Sequence, residues 1–361
     1  MDKYQDLRQV LHKHPTGAPA SEYLDEILRL LFTPAEANVA LGMGFTPRSI
    51  PAIARAAGVP EEEAGARCEA MANKGIVFGR KKDGEMGYAL LPTIPGLFEF
   101  PFMRGGGTPM HERLGKLWQE YHHAALGQEF AASPTPLTRV IPVEEALPTA
   151  IEALPYEELS RTLDRVGTFA LAQCACRVSV GACDKPRDVC LVFDRFAEFL
   201  SDRGFSRRIT RAEAEDVLRR SEEAGLVHTT PNTQDRPGFV CNCCPCCCTV
   251  LRGLTELELP NAFARSRWHA QVDADLCAGC GVCAEERCPV GAVKVNDGVA
   301  QVDAVRCIGC GLCSTTCQAG AMSMQLRAEP VPAPPATAAE MGLQVAAEKG
   351  RLEEFLPLLA R

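Results

Sequence analysis

Two stretches near the carboxyl end determine how the whole chain is interpreted: CAGCGVCAEERCP at 277–289 and CIGCGLCSTTCQ at 307–318. Each contains three cysteines at two-residue intervals and a fourth cysteine a few residues later. A cubane iron–sulfur cluster takes four thiolates. A short loop with this spacing supplies three of them, and a more distant cysteine supplies the fourth. Zinc prefers two separated pairs of cysteines, so it fits this spacing poorly. The two stretches therefore predict two 4Fe-4S clusters.

Cysteine use and composition indicate the class of protein. Eighteen of the 19 cysteines lie between Cys174 and Cys317 in a chain of 361 residues. A disulfide framework is typical of small secreted domains, and the first residues, MDKYQDLRQVLHKH, lack the apolar core of a signal peptide. We therefore expect a reducing, cytoplasmic and anaerobic setting. No stretch of the sequence approaches the roughly 20 apolar residues that a membrane-spanning helix requires. The formal net charge of −8 disfavours a protein that coats nucleic acid through bulk charge.

Residues 270–327 resemble a bacterial two-cluster ferredoxin. In that family each three-cysteine loop is completed by the last cysteine of the other half. The resemblance implies two ligand sets, one of Cys277, Cys280, Cys283 and Cys317, and the other of Cys307, Cys310, Cys313 and Cys288. It also implies that the segments HAQVD, AVKV, AQVD and AMSM form the strands of two half-repeats.

Other residues of these loops bear on the same resemblance. Glycines at 279, 281, 309 and 311 let the backbone pass close to inorganic sulfide and direct N–H groups at it. Two features depart from the family pattern. Four residues, AEER, precede Cys288 where three are usual, so a small bulge is expected there, and Gln318 stands where a proline usually follows the cysteine. Neither departure removes a ligand.

A second group of cysteines lies in CACRVSVGACDKPRDVC. Its members are Cys174, Cys176, Cys183 and Cys190. Four thiolates in one short span favour a third iron–sulfur cluster, with Arg177 placed to donate to a sulfide or to bind an anionic partner. A zinc site with four thiolates and a set of buried thiols are the alternatives, and the six-residue gaps are unusual for zinc.

The densest group is CNCCPCCC, which has six cysteines in eight residues. Its members are Cys241, Cys243, Cys244, Cys246, Cys247 and Cys248. Free thiols at this density invite oxidation, so a metal role is favoured. One cubane accepts only four thiolates. Either some are spare, or they are shared with the preceding group, or the site is a less usual multi-iron or mixed-metal centre. His228 and Asn242 are interpreted as ordinary loop residues, and the isolated Cys68 as a small buried apolar residue.

Residues 20–92 are predicted to form short helices followed by a hairpin. Their order resembles a winged helix-turn-helix of the MarR type, with PRSIPAIARAAGV as the first helix of the motif, PEEEAGARCEAMANKGIV as the recognition helix and IVFGRKKDGEMGYALL as the wing. A helix that enters the major groove needs cationic or amide side chains near its start. This helix begins with three glutamates at 61–63. We therefore expect protein docking or homodimer formation rather than DNA binding, although the wing has three basic residues at 80–82.

The predicted architecture is a multidomain α+β protein. Within it, CLVFDRFAEFLSDRG at 190–204 is expected to be one helix ended by a glycine, and the aromatic residues of PGLFEFPFMRGGGTPM at 95–110 are expected to lie over a neighbouring surface. The expected parts are a winged helix at 20–92, a linker and helix at 93–149, a helical cysteine-rich metal-binding domain at 150–260, a ferredoxin-like domain at 266–328, a Pro/Ala linker at 329–338 and a terminal helix at 339–361.

These features favour an electron-transfer protein with three or four 4Fe-4S clusters, which passes low-potential electrons to or from a partner oxidoreductase. A redox-sensing transcriptional regulator is one alternative, and a redox subunit with a catalytic metal centre at 241–248 is another. No dinucleotide or P-loop fingerprint is identified, so a non-catalytic role is favoured over an enzyme. The expected cofactors are two 4Fe-4S clusters and one or two further iron–sulfur clusters, with zinc as the alternative in the middle domain.

Overall fold

The computed structural model describes residues 2–359. The chain is 42% helical and 17% strand, which confirms the expected mixture of helix and sheet. No helix in this part of the chain is long and apolar enough to cross a membrane. The buried apolar residues form three clusters. One of them is shared by the middle of the chain and its cysteine-rich carboxyl-terminal region.

Residues 2–90 form five helices and a small antiparallel sheet. The helices are α1 (Lys3–His12), α2 (Glu22–Leu31), α3 (Pro34–Ala40), α4 (Ile50–Ala57) and α5 (Glu61–Lys74), and the strands are β1 (Arg48–Ser49), β2 (Val77–Lys82) and β3 (Glu85–Leu90). The strands pair in the order β1-β3-β2. Local sequence sets these limits. Thr33 and Glu36 form a capping box at the start of α3, and Gly58 and Gly75 end α4 and α5 in the left-handed conformation.

Residues 93–130 form helices and part of the core rather than a surface linker. They contain α6 (Glu99–Phe102), α7 (Pro109–Tyr121) and α8 (Gly127–Phe130). Phe98, Phe100 and Phe102 are at most 5% exposed. Phe98 packs edge-on against Trp118 of α7, with ring centroids 5.4 Å apart. The structure differs from the expected linker because these aromatic rings bury large apolar surfaces even in a Pro/Gly-rich segment.

Residues 138–243 contain a six-stranded antiparallel sheet. Its strands are β4 (Thr138–Val140), β5 (Phe169–Gln173), β6 (Asp188–Phe193), β7 (Ser206–Ile209), β8 (Val227–Pro231) and β9 (Phe239–Cys243), in the spatial order β4-β8-β9-β6-β5-β7. Between and after these strands lie α9 (Leu159–Leu163), α10 (Ala175–Val180), α11 (Asp194–Asp202), α12 (Arg211–Glu223) and α13 (Thr249–Thr255).

This sheet corrects the prediction of a helical middle domain. The segment CLVF at 190–193 belongs to β6, and the helix expected over 190–204 begins at Asp194 instead. Every residue of β6 after Asp188 is buried. A continuous apolar run fits a buried strand as well as a buried helix, so the sequence pattern does not separate the two.

Residues 268–326 form two antiparallel strand pairs. β10 (Trp268–Val272) pairs with β13 (Met322–Leu326), and β11 (Val293–Asn296) pairs with β12 (Val299–Val302). The four strands fall on the four segments that the ferredoxin resemblance implies. Each cysteine loop joins the two pairs, since 277–288 runs from β10 to β11 and 307–317 from β12 to β13. The two loops are therefore held by the same small framework.

The carboxyl-terminal residues form two helices that pack on the same chain. α14 (Ala338–Glu348) and α15 (Leu352–Leu359) replace the single helix expected over 339–361, whose last two residues lie outside the described part. Gly350 follows α14 with a left-handed φ of 69° and allows the chain to turn. Phe355 of α15 packs against His14 and Phe45, so the end of the chain rests on its beginning.

Glu129 forms ion pairs that hold the carboxyl-terminal helices against the rest of the chain. Lys349 Nζ lies 3.0 Å and Arg351 Nη1 lies 2.7 Å from Glu129 Oε1, and the Lys349 side chain is 3% exposed. Glu129→Gln is expected to lower the free energy of unfolding by about 3 kcal/mol, because it leaves a buried ammonium group without its carboxylate. Anaerobic thermal unfolding measures the loss. Glu353→Gln, the same change at an exposed position of α15, is the control and should have little effect.

The same ion pairs give a defined pH dependence. Burial raises the pKa of Glu129, but the bonds to Arg351 and Lys349 outweigh burial and hold that pKa below its usual 4.5. Such a carboxyl stabilises the fold above its ordinary pKa, and the contribution is lost as the pH falls below 4.5. The stability difference between wild type and Glu129→Gln should therefore shrink as the pH falls below that value. A difference that stays constant down to about pH 3 would contradict this account.

Candidate metal centres

Two small cavities in the carboxyl-terminal region, called the ferredoxin-like cavities below, are lined by cysteines. The first, of about 30 Å³, is lined by Cys277, Cys280, Cys283 and Cys317. The second, of about 20 Å³, is lined by Cys288, Cys307, Cys310 and Cys313. Cys313 also borders the first cavity, so the two sites are neighbours. Apart from Cys313 at the first cavity, the cysteines at each cavity are the sets that the ferredoxin resemblance implies, and four thiolates are what a cubane cluster takes.

Backbone N–H groups of the strands beside the two loops, or directly before them, point at the sulfur atoms. The donors are Ala300 to Cys277 Sγ at 3.3 Å, Ala292 to Cys288 Sγ at 3.1 Å, and Ala270 to Cys307 Sγ at 3.5 Å. A hydrogen bond to a thiolate favours the charged form, and the bond from Ala300 lowers the pKa of Cys277. The same bonds help to set the reduction potential of a cluster held by these thiolates.

Two glycines in the loops have no room for a side chain. Gly279 and Gly309 adopt left-handed φ values of 64° and 75°. A Cβ on Gly279 would collide with the Gly298 carbonyl, and a Cβ on Gly309 with the Trp268 carbonyl. Close approach of two backbone segments, as well as the left-handed conformation, therefore requires glycine at both positions.

The extra residue before Cys288 is accommodated in a widened turn. Cys283–Arg287 forms one five-residue turn, as the bulge expected at AEER requires. The turn directs Arg287 toward the middle domain. Its guanidinium donates to the carbonyls of Glu222 and Glu223 at the end of α12, at 2.7 and 3.0 Å. Arg287 thereby ties the first cysteine loop to a helix that flanks the six-stranded sheet.

Six cysteines of the middle domain line one cavity of about 110 Å³. They are Cys174, Cys176, Cys190, Cys241, Cys243 and Cys248. β9 accounts for two of them, because residues two apart on a strand face the same side and Cys241 and Cys243 both face the cavity. The rest of the wall is mostly apolar and includes Phe100, Phe239 and Phe263.

The thiols of this cavity lie close enough to influence one another. A hydrogen bond with Cys176 and burial raise the pKa of Cys174. A hydrogen bond with Cys190 and burial raise the pKa of Cys241 and outweigh an opposing bond with Cys243. Free thiolates are therefore disfavoured here, and bound metal ions would neutralise their charge.

The other four cysteines of the middle domain form a separate group. Their Sγ atoms all lie within 4.8 Å of one another. One comes from the loop between α10 and β6, and three come from the loop between β9 and α13: Cys183, and Cys244, Cys246 and Cys247. The structure thus divides the ten thiols into six and four, with Cys183 apart from its sequence neighbours Cys174, Cys176 and Cys190. This differs from the four and six expected from their order in the chain.

Arg177 lies between the two groups. Its side chain is fully buried, and its guanidinium donates to Cys244 Sγ at 3.3 Å and to the Asn242 carbonyl at 2.9 Å. A hydrogen bond with Cys247, together with the bond and charge of Arg177, lowers the pKa of Cys244. The sequence predicts Arg177 as a donor near a cluster. In the structure its partner is a thiol.

His228 and Asn242 are buried on β8 and β9 rather than placed in loops. His228 Nδ1 lies 2.6 Å from Asn242 Oδ1, and His228 Nε2 lies 2.9 Å from Glu222 Oε1. Asn242 Nδ2 donates to the Val189 carbonyl at 2.7 Å. Both side chains are engaged in joining strands, so neither is placed as a metal ligand. Cys68 is fully buried in α5, as the sequence predicts.

One family model matches part of the chain. Residues 300–323 match the model described as 4Fe-4S binding domain, and this segment runs from β12 through the second cysteine loop into β13. No curated protein and no solved structure matches the chain. The match and the clustered cysteines together support an iron–sulfur protein.

Alanine variants of Gly309 and Gly320 test whether the backbone of the second loop packs as closely as described. Both have a left-handed φ, but an added Cβ meets a backbone carbonyl only at Gly309 and nothing within 4 Å at Gly320. Both alanine variants should lose about 1 kcal/mol of stability through conformation. Gly309→Ala should lose roughly 1–3 kcal/mol more through overpacking, and should retain less iron. Anaerobic thermal unfolding and iron analysis measure both effects, and equal losses in the two variants would contradict this description.

Proposed function

We propose that this protein carries electrons through a series of iron–sulfur centres to or from a partner oxidoreductase. Two cubane clusters would occupy the two ferredoxin-like cavities, and a further multi-iron centre would occupy the six-thiol cavity. When bound, such clusters accept and release single electrons. The observation that carries the proposal is the shared apolar core that connects the six-thiol cavity to the cysteine loop beside it.

The middle and carboxyl-terminal regions are packed as one unit at this point. Cys243 and Cys248 of the six-thiol cavity belong to the same buried cluster as Cys310 and Cys313 of the second loop. Val143 lies in that cluster too, and its N–H donates to the Cys310 carbonyl at 2.9 Å. Continuous protein packing between redox centres favours electron transfer through the molecule rather than separate, independent sites.

The exposure of the cysteines supports an order for the proposed centres, from the protein surface to the interior. Cys280 of the first cavity is exposed, whereas Cys310 and Cys313 of the second are at most 8% exposed. Leu276, next to the first loop, is 54% exposed. The first cavity is therefore the natural place for exchange with a partner protein, and the six-thiol cavity is the inner end of the series.

We also propose that residues 20–92 form a winged helix that serves protein docking rather than DNA binding. The order of α3, β1, α4, α5, β2 and β3 supports this fold. The first turn of α5 carries exposed glutamates, which phosphate repels. Phe78 of β2 packs against Phe196 and Phe199 at 5.2 and 5.0 Å between ring centroids, so part of the hairpin already covers α11.

One observation favours a second candidate, a catalytic metal centre in the middle domain. Six thiols line the cavity, more than one cubane takes, and its wall is mostly apolar. A centre with an open coordination position there would act on a small substrate. Substrate-dependent changes in the optical spectrum of the reduced protein would favour this candidate, and their absence would leave electron transfer as the function.

Iron analysis of the anaerobically purified chain tests the series. Two cubanes account for about eight irons, so the wild type should contain about 12 or more and show the EPR signal of reduced cubanes. Cys241→Ser should remove the excess over eight, because Cys241 lines only the six-thiol cavity, and should keep the cubane signal. Cys68→Ser is the matched control, with a buried thiol outside the three cysteine-lined cavities, and should keep all the iron.

Two outcomes would contradict the proposal. A wild-type iron content at or below about eight would remove the inner centre. Absence of the reduced-cubane signal from the wild type would remove the series as a whole.

A further inference from the structure

We propose that Cys183, Cys244, Cys246 and Cys247 bind a single zinc ion, separate from the iron–sulfur centres. The site lies outside the two ferredoxin-like cavities and outside the six-thiol cavity. The inference does not depend on the electron-transfer proposal, because it rests on the arrangement of these four thiols alone.

The spacing of the sulfur atoms matches one tetrahedral ion. Cys183 Sγ lies 3.8 Å from Cys244 Sγ and 3.8 Å from Cys247 Sγ, and Cys247 Sγ lies 3.9 Å from Cys246 Sγ. Zn–S bonds of about 2.3 Å in a tetrahedron place the sulfur atoms about 3.8 Å apart. The four thiols therefore surround a space of the right size for zinc.

The same spacing is too small for a cubane cluster. A cube binds its four thiolates at its outer corners, so they lie farther apart than around a single ion. Within residues 2–359, no other set of three or more cysteine, histidine or carboxylate ligand atoms lies as close together as this one. The eight thiols of the ferredoxin-like loops are thus spread more widely, as clusters require, and these four thiols are not.

The surroundings of the site are those of a closed, structural ion. Cys244 and Cys247 are fully buried, and Arg177, also fully buried, donates to Cys244 Sγ at 3.3 Å. No carboxylate forms an ion pair with Arg177 in the described part of the chain. A buried guanidinium needs an anionic partner, and a zinc ion with four thiolates carries a net negative charge. Arg177 also orients the ligand loop through its bond to the Asn242 carbonyl.

The position of the ion gives it a role in assembling the inner centre. Cys183 lies between Cys176 and Cys190, and Cys244, Cys246 and Cys247 lie between Cys243 and Cys248. Zinc would therefore join two segments of the chain, 174–190 and 241–248, whose other cysteines all line the six-thiol cavity. Four protein thiolates leave no open coordination position, so the ion holds these loops in place and takes no part in electron transfer.

Metal analysis and X-ray absorption on the full-length wild type test the inference directly. The chain, purified without oxygen or chelators, should contain one zinc per molecule by mass spectrometry. The zinc edge should report four sulfur ligands at about 2.3 Å. This measurement needs no variant, so it does not depend on whether a variant folds.

Variants identify the ligands. Cys183→Ser should lower zinc at least tenfold while the reduced-cubane EPR signal of the carboxyl-terminal region persists, because Cys183 lines neither ferredoxin-like cavity. Cys68→Ser, at a buried thiol outside the four-thiol group, should keep its full zinc content. Zinc below about a fifth of an ion per chain, nitrogen or oxygen ligands at the zinc edge, a mononuclear iron signal in place of zinc, or full zinc in Cys183→Ser would each overturn the inference. Since zinc and iron are counted separately, a failure here is distinct from a failure of the electron-transfer proposal.

Discussion

The burial of thiols is the constraint on which the middle and carboxyl-terminal regions depend. Cys243, Cys248, Cys310 and Cys313 occupy core positions where an aliphatic side chain would otherwise pack. A thiol is a small apolar group and contributes little packing, and burial raises the pKa of Cys310 to about 12, so a free thiolate there is disfavoured. With the proposed centres bound, metal would stabilise the thiolates and resolve the conflict, and the folding of these regions would be coupled to their metals.

This constraint explains why the two regions are built together rather than as separate modules. A single buried cluster contains residues of β10 to β13, of the loop near Val143 and of the six-thiol cavity. Arg287, placed by the extra residue before Cys288, adds hydrogen bonds from the first cysteine loop to the end of α12. A departure from the ferredoxin pattern thus adds one of the contacts that join the ferredoxin-like region to its neighbour.

The parts of the fold that depend on local sequence are predictable, and those that depend on tertiary pairing are not. The spacing in 277–317 predicts that clusters bind there, and the ferredoxin resemblance implies the two sets of cysteines, which in the structure line two neighbouring cavities. β6 is not predicted as a strand because its apolar residues do not alternate with polar ones. The division of the ten middle thiols depends on which loops meet across the sheet. Among these cysteines, the local sequence indicates a shared side for Cys241 and Cys243, because they alternate with Asn242 as residues of a strand do. Cys244 follows the end of β9, so this alternation does not place it.

The central claim is that the middle cysteines form two different kinds of metal site, one multi-iron and one single-ion. Anomalous X-ray diffraction from crystals of the anaerobic protein, recorded at the iron and zinc absorption edges, tests it most directly. The account predicts iron peaks in the six-thiol cavity and in both ferredoxin-like cavities, and one zinc peak among Cys183, Cys244, Cys246 and Cys247. Iron among those four thiols, or no iron in the six-thiol cavity, would contradict it.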